Sequence, residues 1–152
     1  MEKIFDLIIC ILLTVLLGSL SGLLVGNMTM DYNELIKPFY SPPSIVFPIV
    51  WTILYVLLGI SFYLALQGKE KKKVIIVYSI QMFLNITWSF LFFGLHKYLL
   101  SSIWILLLIS SIVLMMYVFY NINPLSAYLQ IPYLLWCIFA FILNFHIFLL
   151  NK

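Results

Sequence analysis

The chain has 152 residues, of which 65% are apolar and 9% are charged, and its mean hydropathy is +1.17. A soluble domain of this length needs far more polar surface, so the composition excludes a water-soluble globular protein. All eight cationic residues are lysines and the net charge is only +3, which argues against a nucleic-acid binder. The two cysteines, Cys10 and Cys137, lie in apolar runs without the spacing of a zinc or disulfide framework. The expected solvent of this chain is lipid.

Five long apolar stretches predict the architecture. A helix that crosses the hydrocarbon core of a bilayer needs about 20 apolar residues, and each stretch provides them without a charged residue away from its ends. The pattern is continuously apolar and lacks the alternation of a membrane β-barrel. We therefore predict an all-α membrane protein, a five-transmembrane-helix bundle that forms one domain over residues 1–152. The predicted spans cover residues 5–25, 44–66, 74–95, 99–120 and 127–150.

Three glycines at intervals of four residues, Gly18, Gly22 and Gly26, lie at the end of the first span. Such a spacing forms a groove on one helix face, where another backbone can approach closely. Two interpretations remain open, namely tight packing against a helix of the same chain and homodimerisation through this face.

The connection after the first span, residues 27–43, is polar, contains prolines and is much longer than the others. Long loops in compact folds often act as lids or binding elements, and a slack connector is the alternative. The lysines indicate the orientation, because cytoplasmic loops of membrane proteins carry an excess of cationic residues. One side carries Lys3, Lys69, Lys71, Lys72 and Lys73, and the other carries Lys37, Lys97 and Lys152. We predict a cytoplasmic N-terminus, with the long loop and the C-terminus outside.

Three tryptophans within the spans, Trp51, Trp88 and Trp136, do not fit the interfacial belt in which this residue is expected. A rise of about 1.5 Å per residue places Trp51 and Trp88 roughly 10 Å below the outer ends of their spans. Each indole N–H needs a partner at that depth, which predicts an aromatic cavity. Asn85 and Asn144 strengthen this prediction, because an amide in hydrocarbon is costly unless it is paired. On their own, however, such asparagines more often join helices than contact ligands.

Other residues within the spans mainly restrict the chemistry. Pro48 and Pro132 each free a backbone carbonyl and are predicted to kink their helices. No Asp, Glu, Lys or Arg lies in mid-span, which excludes a carboxylate relay for proton coupling. No catalytic constellation and no metal site are predicted. His96 and His146 lie near the outer face, where an interfacial placement is favoured over ligation of a haem iron.

Three stretches in chain order carry a recognisable pattern. They are Lys37-Pro-Phe-Tyr-Ser-Pro-Pro43 followed by Phe47-Pro-Ile-Val-Trp-Thr-Ile-Leu-Tyr55, then Gln81-Met-Phe-Leu-Asn-Ile-Thr-Trp-Ser-Phe-Leu-Phe-Phe-Gly94, and finally Pro132-Tyr-Leu-Leu-Trp-Cys-Ile-Phe-Ala140 with Leu143-Asn144. This pattern resembles the signature of the TspO/MBR family. These tryptophan-rich sensory proteins are related to the mitochondrial translocator protein, also called the peripheral benzodiazepine receptor.

The resemblance implies a five-helix bundle of the bacterial cell membrane, usually a homodimer, whose ligand cavity opens under the first loop. It further implies binding of tetrapyrroles such as protoporphyrin IX, and of benzodiazepine and isoquinoline-carboxamide ligands. No cofactor is expected to be required, since the tetrapyrrole is the ligand or substrate. The ligand-binding positions implied by the motifs are Trp51, Tyr55, Asn85, Trp88, Trp136, Ala140 and Asn144. The lid positions are Lys37, Tyr40, Pro42 and Pro43.

The leading hypothesis is therefore a tetrapyrrole-binding membrane protein, in which Lys37 meets a propionate at the cavity mouth. Some bacterial members of the family promote light-dependent breakdown of porphyrin. If that chemistry occurs here, Trp51 and Trp136 are expected to act as electron partners of the excited porphyrin. Two alternatives remain open: a passive transporter or exporter of porphyrin, and a haem-dependent sensor that uses His96 or His146.

Overall fold

The computed structural model describes residues 2–25 and 32–152. Its described part contains helices and no strands, and five of the helical segments are long and apolar enough to cross a membrane, which confirms the predicted fold class. The helices are α1 (Glu2–Val25), α2 (Val46–Leu66), α3 (Lys71–Ser89), α4 (Tyr98–Tyr120), the short α5 (Pro124–Tyr128) and α6 (Ile131–Leu150). A π-helical turn, Phe90–Gly94, directly continues α3.

Both span prolines lie in the first turn of a helix. Pro48 is the third residue of α2 and Pro132 is the second residue of α6. The first amides of a helix have no intrahelical partner, so proline is tolerated there without loss of a hydrogen bond. The predicted kink at Pro48 is therefore wrong, because α2 begins two residues later than the predicted span. At Pro132 the membrane-crossing segment Pro124–Leu150 is interrupted between Tyr128 and Ile131, directly before the proline. The segment before α6 instead forms α5, whose N-terminus is capped by the Asn123 side chain accepting from the Leu125 amide at 3.0 Å.

The end of α3 departs from α-helical geometry. The Leu95 amide donates to the Phe90 carbonyl at 3.0 Å, five residues back, and the Lys97 amide donates to the Leu91 carbonyl at 2.9 Å. His96 has a φ of 53°, the left-handed conformation that commonly ends a helix. These bonds turn the chain within a few residues, so that α3 and α4 become neighbours.

Helix α4 packs against α3, α5 and α6. Its core-facing side chains follow helical spacing and are fully buried: Ile105, Leu108, Ile112 and Met115. Large apolar side chains such as Leu16, Phe83 and Tyr117 are more than half exposed on the outside of the bundle. A surface this apolar requires lipid, in agreement with the membrane assignment.

Helices α1 and α2 touch through their backbones at Gly59. A Cβ atom at this position would lie 2.6 Å from the Ile11 Cα atom and 3.0 Å from the Cys10 carbonyl oxygen. Since backbone atoms cannot move aside as a side chain can, glycine is required here for the two helices to approach this closely. The contact fixes α1 against α2 one turn beyond Tyr55.

Candidate functional site

A cavity of about 390 Å³ lies between α1, α2 and the end of α3. Small residues of α1, among them Gly18, Ser19 and Gly22, form one wall. The opposite wall is aromatic, and it consists of Tyr32, Phe47, Trp51, Tyr55 and Phe93. The cavity size falls within the roughly 300–1,000 Å³ of small-molecule sites.

Trp51 is the centre of the aromatic wall. Its ring stacks on Tyr55 with centroids 5.5 Å apart and an interplanar angle of 27°, and it packs on Trp88 at 5.9 Å. The edge of Tyr133 meets it at 6.1 Å. Trp88 is buried and does not line the cavity, so it supports Trp51 from behind. The wall is thus two aromatic layers deep.

A chain of buried hydrogen bonds, here called the polar floor, lies below Tyr55, and only Tyr55 among its residues lines the cavity. The Tyr55 hydroxyl donates to Asn85 Oδ1 at 2.8 Å, and Asn85 Nδ2 donates to the Tyr133 hydroxyl at 2.9 Å. The Tyr133 hydroxyl in turn donates to Gln81 Oε1 at 2.9 Å. Asn85 therefore joins α2, α3 and α6, and it reaches the cavity only through the Tyr55 hydroxyl.

The amide of Asn144 holds α3, α4 and α6 together. Its oxygen accepts from Trp88 Nε1 at 3.2 Å and from Ser101 Oγ at 2.9 Å. Its nitrogen donates to Ser102 Oγ at 2.6 Å and to the Tyr98 carbonyl at 2.8 Å. These four bonds join three helices. Of the two roles considered for Asn144, joining helices or contacting a ligand, the structure shows the first. Ala140, one turn before it, is buried in the core and outside the cavity wall.

Trp136 lies elsewhere. It lines a second, apolar groove of about 410 Å³ between α2 and α6, together with Ile53, Leu57 and Phe139. Its ring centroid is 6.0 Å from that of Phe47, which faces the first cavity. Phe47 thus stands between Trp136 and the cavity, and the structure does not bring the two predicted electron partners to one site. The Trp136 Nε1 atom is buried and has no hydrogen-bond partner in the part of the chain that the structure describes.

The first loop closes one end of the cavity through Tyr32. This side chain is buried, packs edge-on against Phe47 at 4.9 Å and donates its hydroxyl to the Pro42 carbonyl at 3.2 Å. Burial raises the pKa of the Tyr32 phenol. The phenol therefore remains protonated at neutral pH. The adjoining Pro43 is exposed.

Lys37 is engaged within the loop itself. Its ammonium group donates to the carbonyls of Tyr32 at 2.8 Å and Asn33 at 3.1 Å, and it lies 4.7 Å above the Tyr32 ring. These two bonds use two of the three N–H donors of the ammonium group, and Lys37 does not line the cavity, where the sequence suggested that it meets a propionate. Tyr40 is hydrogen-bonded to His146 Nδ1 and does not line the cavity.

Gly18 and Gly22, both on α1, have different environments. A Cβ atom on Gly18 would overlap the Tyr55 ring, so this position packs within the chain. Gly22 lines the cavity, and Gly26 lies outside the described residues. Neither histidine lines the cavity, and no group of three or more potential metal ligands occurs among the described residues.

Sequence reasoning did not select several residues of the site. Tyr32, Phe47 and Phe93 line the cavity, Tyr133 and Gln81 belong to the hydrogen-bond network behind Tyr55, and Gly59 sets the distance between α1 and α2. Two of these residues could have been selected from the sequence, because Gly59 is an isolated glycine within a span and Gln81 is an amide at membrane depth. The aromatic residues of the site could not be distinguished from the many other aromatic residues of the chain.

Five membrane-crossing helices with an aromatic cavity beneath a loop define a small helical-bundle membrane protein. The model of the TspO/MBR family matches residues 10–150. The chain therefore belongs to the TspO/MBR family, as its motifs predicted.

Relatives share the sequence over most of their length. The Tryptophan-rich protein TspO of Chlorobaculum tepidum is 36% identical over 99% of this chain and 98% of its own. The protein of the same name from Archaeoglobus fulgidus is 38% identical over 79% of each chain. The human Translocator protein is 34% identical over 75% of this chain and 70% of its own. Membrane embedding is thereby confirmed, whereas the cell membrane, the orientation and the homodimer stay predictions.

Proposed function

We propose that the protein binds tetrapyrroles such as protoporphyrin IX in the cavity between α1, α2 and α3. The observation that carries this proposal is the Trp51 ring, which faces the cavity with Tyr55 stacked on it and Trp88 behind it. A porphyrin is a large flat π-system, and offset or edge-on contact with aromatic rings favours it beyond simple burial of area. The small side chains of α1 leave room for such a ring.

The polar lining suggests how a ligand with one charged end would lie. Ser19 and Thr52 line the cavity and are exposed, so that it opens between α1 and α2, but at the depth of Trp51 this opening faces lipid. Carboxylates buried in hydrocarbon are costly, whereas the loop end of the cavity, lined by Tyr32 and by Ser44 just before α2, lies nearer the membrane surface. The macrocycle is therefore expected to lie against Trp51 with its propionates towards the loop end. The same aromatic wall suits benzodiazepine and isoquinoline-carboxamide ligands.

Light-dependent degradation of the bound porphyrin is the second part of the proposal. Trp51 is the tryptophan that lines the cavity, and Trp88 lies behind it in ring contact. We expect Trp51 to exchange an electron with the excited porphyrin, with dissolved oxygen as the oxidant of the ring. Trp136, behind Phe47, is expected to contribute less.

The test compares the two tryptophans in one titration. Protoporphyrin IX is added in the dark to the purified protein, and binding is followed by quenching of tryptophan fluorescence. Trp51→Ala is expected to weaken binding about tenfold through loss of the aromatic contact, whereas Trp136→Ala should change the affinity by less than about twofold. Under subsequent illumination, Trp51→Phe should keep binding and slow porphyrin loss. Equal effects of the two alanine variants would contradict the proposed location of the site.

A further inference from the structure

A series of aromatic rings in contact leads from the cavity to the connection between α3 and α4. Trp51 lines the cavity, and its ring packs on that of Trp88 with centroids 5.9 Å apart. Trp88 stacks on Phe92 at 6.0 Å, and Phe92 meets the Tyr98 ring edge-on at 5.3 Å. We call these four residues the aromatic series. It begins at a ring of the cavity wall and ends at a phenol in the first position of α4.

Access to water differs between the two ends of the series. Trp88 and Phe92 are 3% and 4% exposed, so the middle of the series is buried. Tyr98 is half-buried, and its ring contacts the exposed His96 at a centroid distance of 6.2 Å. Its position at the end of a membrane span is the interfacial one that tyrosine prefers. The far end of the series is therefore within reach of water-soluble molecules.

The chemistry of the series follows from which rings can be oxidised. Among aromatic side chains, tryptophan and tyrosine give up one electron readily, whereas phenylalanine does not. Electron transfer between rings falls steeply with distance, so several short steps carry charge farther than one long step. Phe92 thus acts only as a packed bridge between Trp88 and Tyr98. An electron removed from Trp51 at the cavity can be replaced through this series from the protein surface.

Two other phenols touch Trp51 and are unsuitable end points. Tyr55 stacks on it at 5.5 Å, and Tyr133 meets it at 6.1 Å. A phenol that is oxidised at neutral pH has to release its proton. The hydroxyls of Tyr55 and Tyr133 are buried and donate to side-chain amide oxygens, which are poor proton acceptors. Tyr98, which is partly exposed, can release its proton to water.

We propose that Trp88 and Tyr98 are electron-relay residues that restore Trp51 after its oxidation. Trp88 gives one electron to the Trp51 radical cation and becomes a radical cation itself. Tyr98 then gives one electron to Trp88 and its hydroxyl proton to water, which leaves a neutral tyrosyl radical. A water-soluble one-electron reductant of the ascorbate type returns the electron, and water returns the proton.

The source of the oxidation rests on the proposed function, whereas the relay itself does not. In that function, the electron from Trp51 passes through the excited porphyrin to dissolved oxygen, which becomes superoxide. Each cycle thus moves one electron from the soluble reductant to oxygen, and Trp51 is returned to its starting state. The relay protects the cavity wall from irreversible oxidation during repeated exposure to light.

The first experiment oxidises Trp51 without porphyrin. Thr52 lines the cavity and is exposed, whereas the native Cys10 and Cys137 are buried. A ruthenium polypyridine complex is attached to Thr52→Cys, excited by a light flash and oxidised by methyl viologen, so that it withdraws an electron from Trp51. Rapid freezing and electron paramagnetic resonance then identify the radical. The parent protein with Thr52 intact gives the background labelling.

The relay predicts a tyrosyl radical that depends on both relay residues. Tyr98→Phe, which removes only the hydroxyl, should abolish the tyrosyl signal and leave a tryptophan radical, and Trp88→Phe should do the same. Tyr117→Phe is the control for the first, because Tyr117 is 66% exposed near the other end of α4. Trp104→Phe is the control for the second, since its N–H donates to the Leu84 carbonyl and its ring stands outside the series. Both controls should keep the tyrosyl signal.

The second experiment uses the protein with bound protoporphyrin IX. Tyr98→Phe should leave the affinity in the dark unchanged. Under illumination it should raise severalfold the fraction of Trp51 converted to kynurenine products, which peptide mass spectrometry measures. Added ascorbate should lower this fraction in the parent protein and in Tyr117→Phe, but not in Tyr98→Phe.

The outcomes separate the relay from the proposed function. A tyrosyl radical that is lost in Tyr98→Phe supports the relay, and the same result in a protein that binds no porphyrin also overturns the proposed ligand. A tyrosyl radical of unchanged yield in both relay variants, or none in the parent, overturns the relay whatever binds in the cavity. Should Tyr98→Phe fail to fold, a nitroso spin trap added to the parent protein decides, because mass spectrometry locates the adduct on Tyr98 or elsewhere.

Discussion

The two faces of α2 carry tryptophan sites of opposite character. On the face of Trp51, two glycines and a serine of α1 leave space, a second aromatic layer supports the ring, and the polar floor lies below Tyr55. On the face of Trp136, the lining is aliphatic and aromatic, and no polar floor lies next to it. The comparison teaches that two intramembrane tryptophans of one chain can have opposite surroundings: Trp51 borders a space left by small residues and lined by several hydroxyl groups, whereas Trp136 borders apolar side chains.

Filling the two faces is the strongest test of this difference. Thr52 lines the cavity and Ile53 lines the groove, and both are exposed neighbours on α2. Thr52→Trp should occupy the cavity and weaken protoporphyrin IX binding by tenfold or more, about 1.4 kcal/mol or above. Ile53→Trp adds the same indole to the other face and should change the affinity by less than about twofold. A larger loss in the Ile53 variant, measured by the same titration, would place the ligand in the groove.

The polar floor is tested by removing single hydroxyls. Tyr133→Phe leaves Asn85 Nδ2 and Gln81 Oε1 without their partner, whereas Tyr55→Phe removes one donor from Asn85 Oδ1. We expect the first change to lower the free energy of unfolding by about 2 kcal/mol and the second by about 1 kcal/mol. Unfolding in mixed micelles with increasing dodecyl sulfate measures both. Equal losses would show that Tyr133 is not the branch point of the network.

The smallest expected difference concerns the indole N–H groups. Trp88 donates to Asn144, whereas the Trp136 N–H has no partner among the described residues. Replacing either by phenylalanine removes ring volume, but only Trp88→Phe also breaks a hydrogen bond. The Trp88 variant should therefore lose about 0.5–1 kcal/mol more unfolding free energy than the Trp136 variant. The same unfolding assay applies, and a larger loss at Trp136 would indicate a partner for its N–H.

The fold was predictable because apolar continuity alone locates membrane spans. Helix ends were less accurate, since α2 and α6 begin at Val46 and Ile131, after predicted starts at 44 and 127. A proline in the first turn of a helix breaks no hydrogen bond of that helix. An error of two to four residues in the predicted start of the helix therefore changes the expected effect of the proline.

The site was predictable only in part. Trp51 and Tyr55 line the cavity as the motif implied, whereas Asn85 and Asn144 are engaged between helices. The position of Trp136 depends on the rotation of α6 about its own axis. In a helix that is apolar all round, lipid-facing and core-facing sides have the same composition, so periodicity does not reveal that rotation.

The π-helical turn at the end of α3 bears on how the chain tolerates changes in its length. A π-helical turn holds one more residue than an α-helical turn, and each residue rotates an α-helix by about 100°. A deletion of one residue within Phe90–Gly94 can be absorbed by conversion to regular α-helix, with Asn85 and Trp88 left in place. The same deletion one turn before Asn85 would rotate the earlier part of α3 against the floor of the cavity. Insertions and deletions among relatives are therefore expected to occur mostly at this turn. There the α3–α4 connection can change its length without rotating the part of α3 that lies next to the cavity.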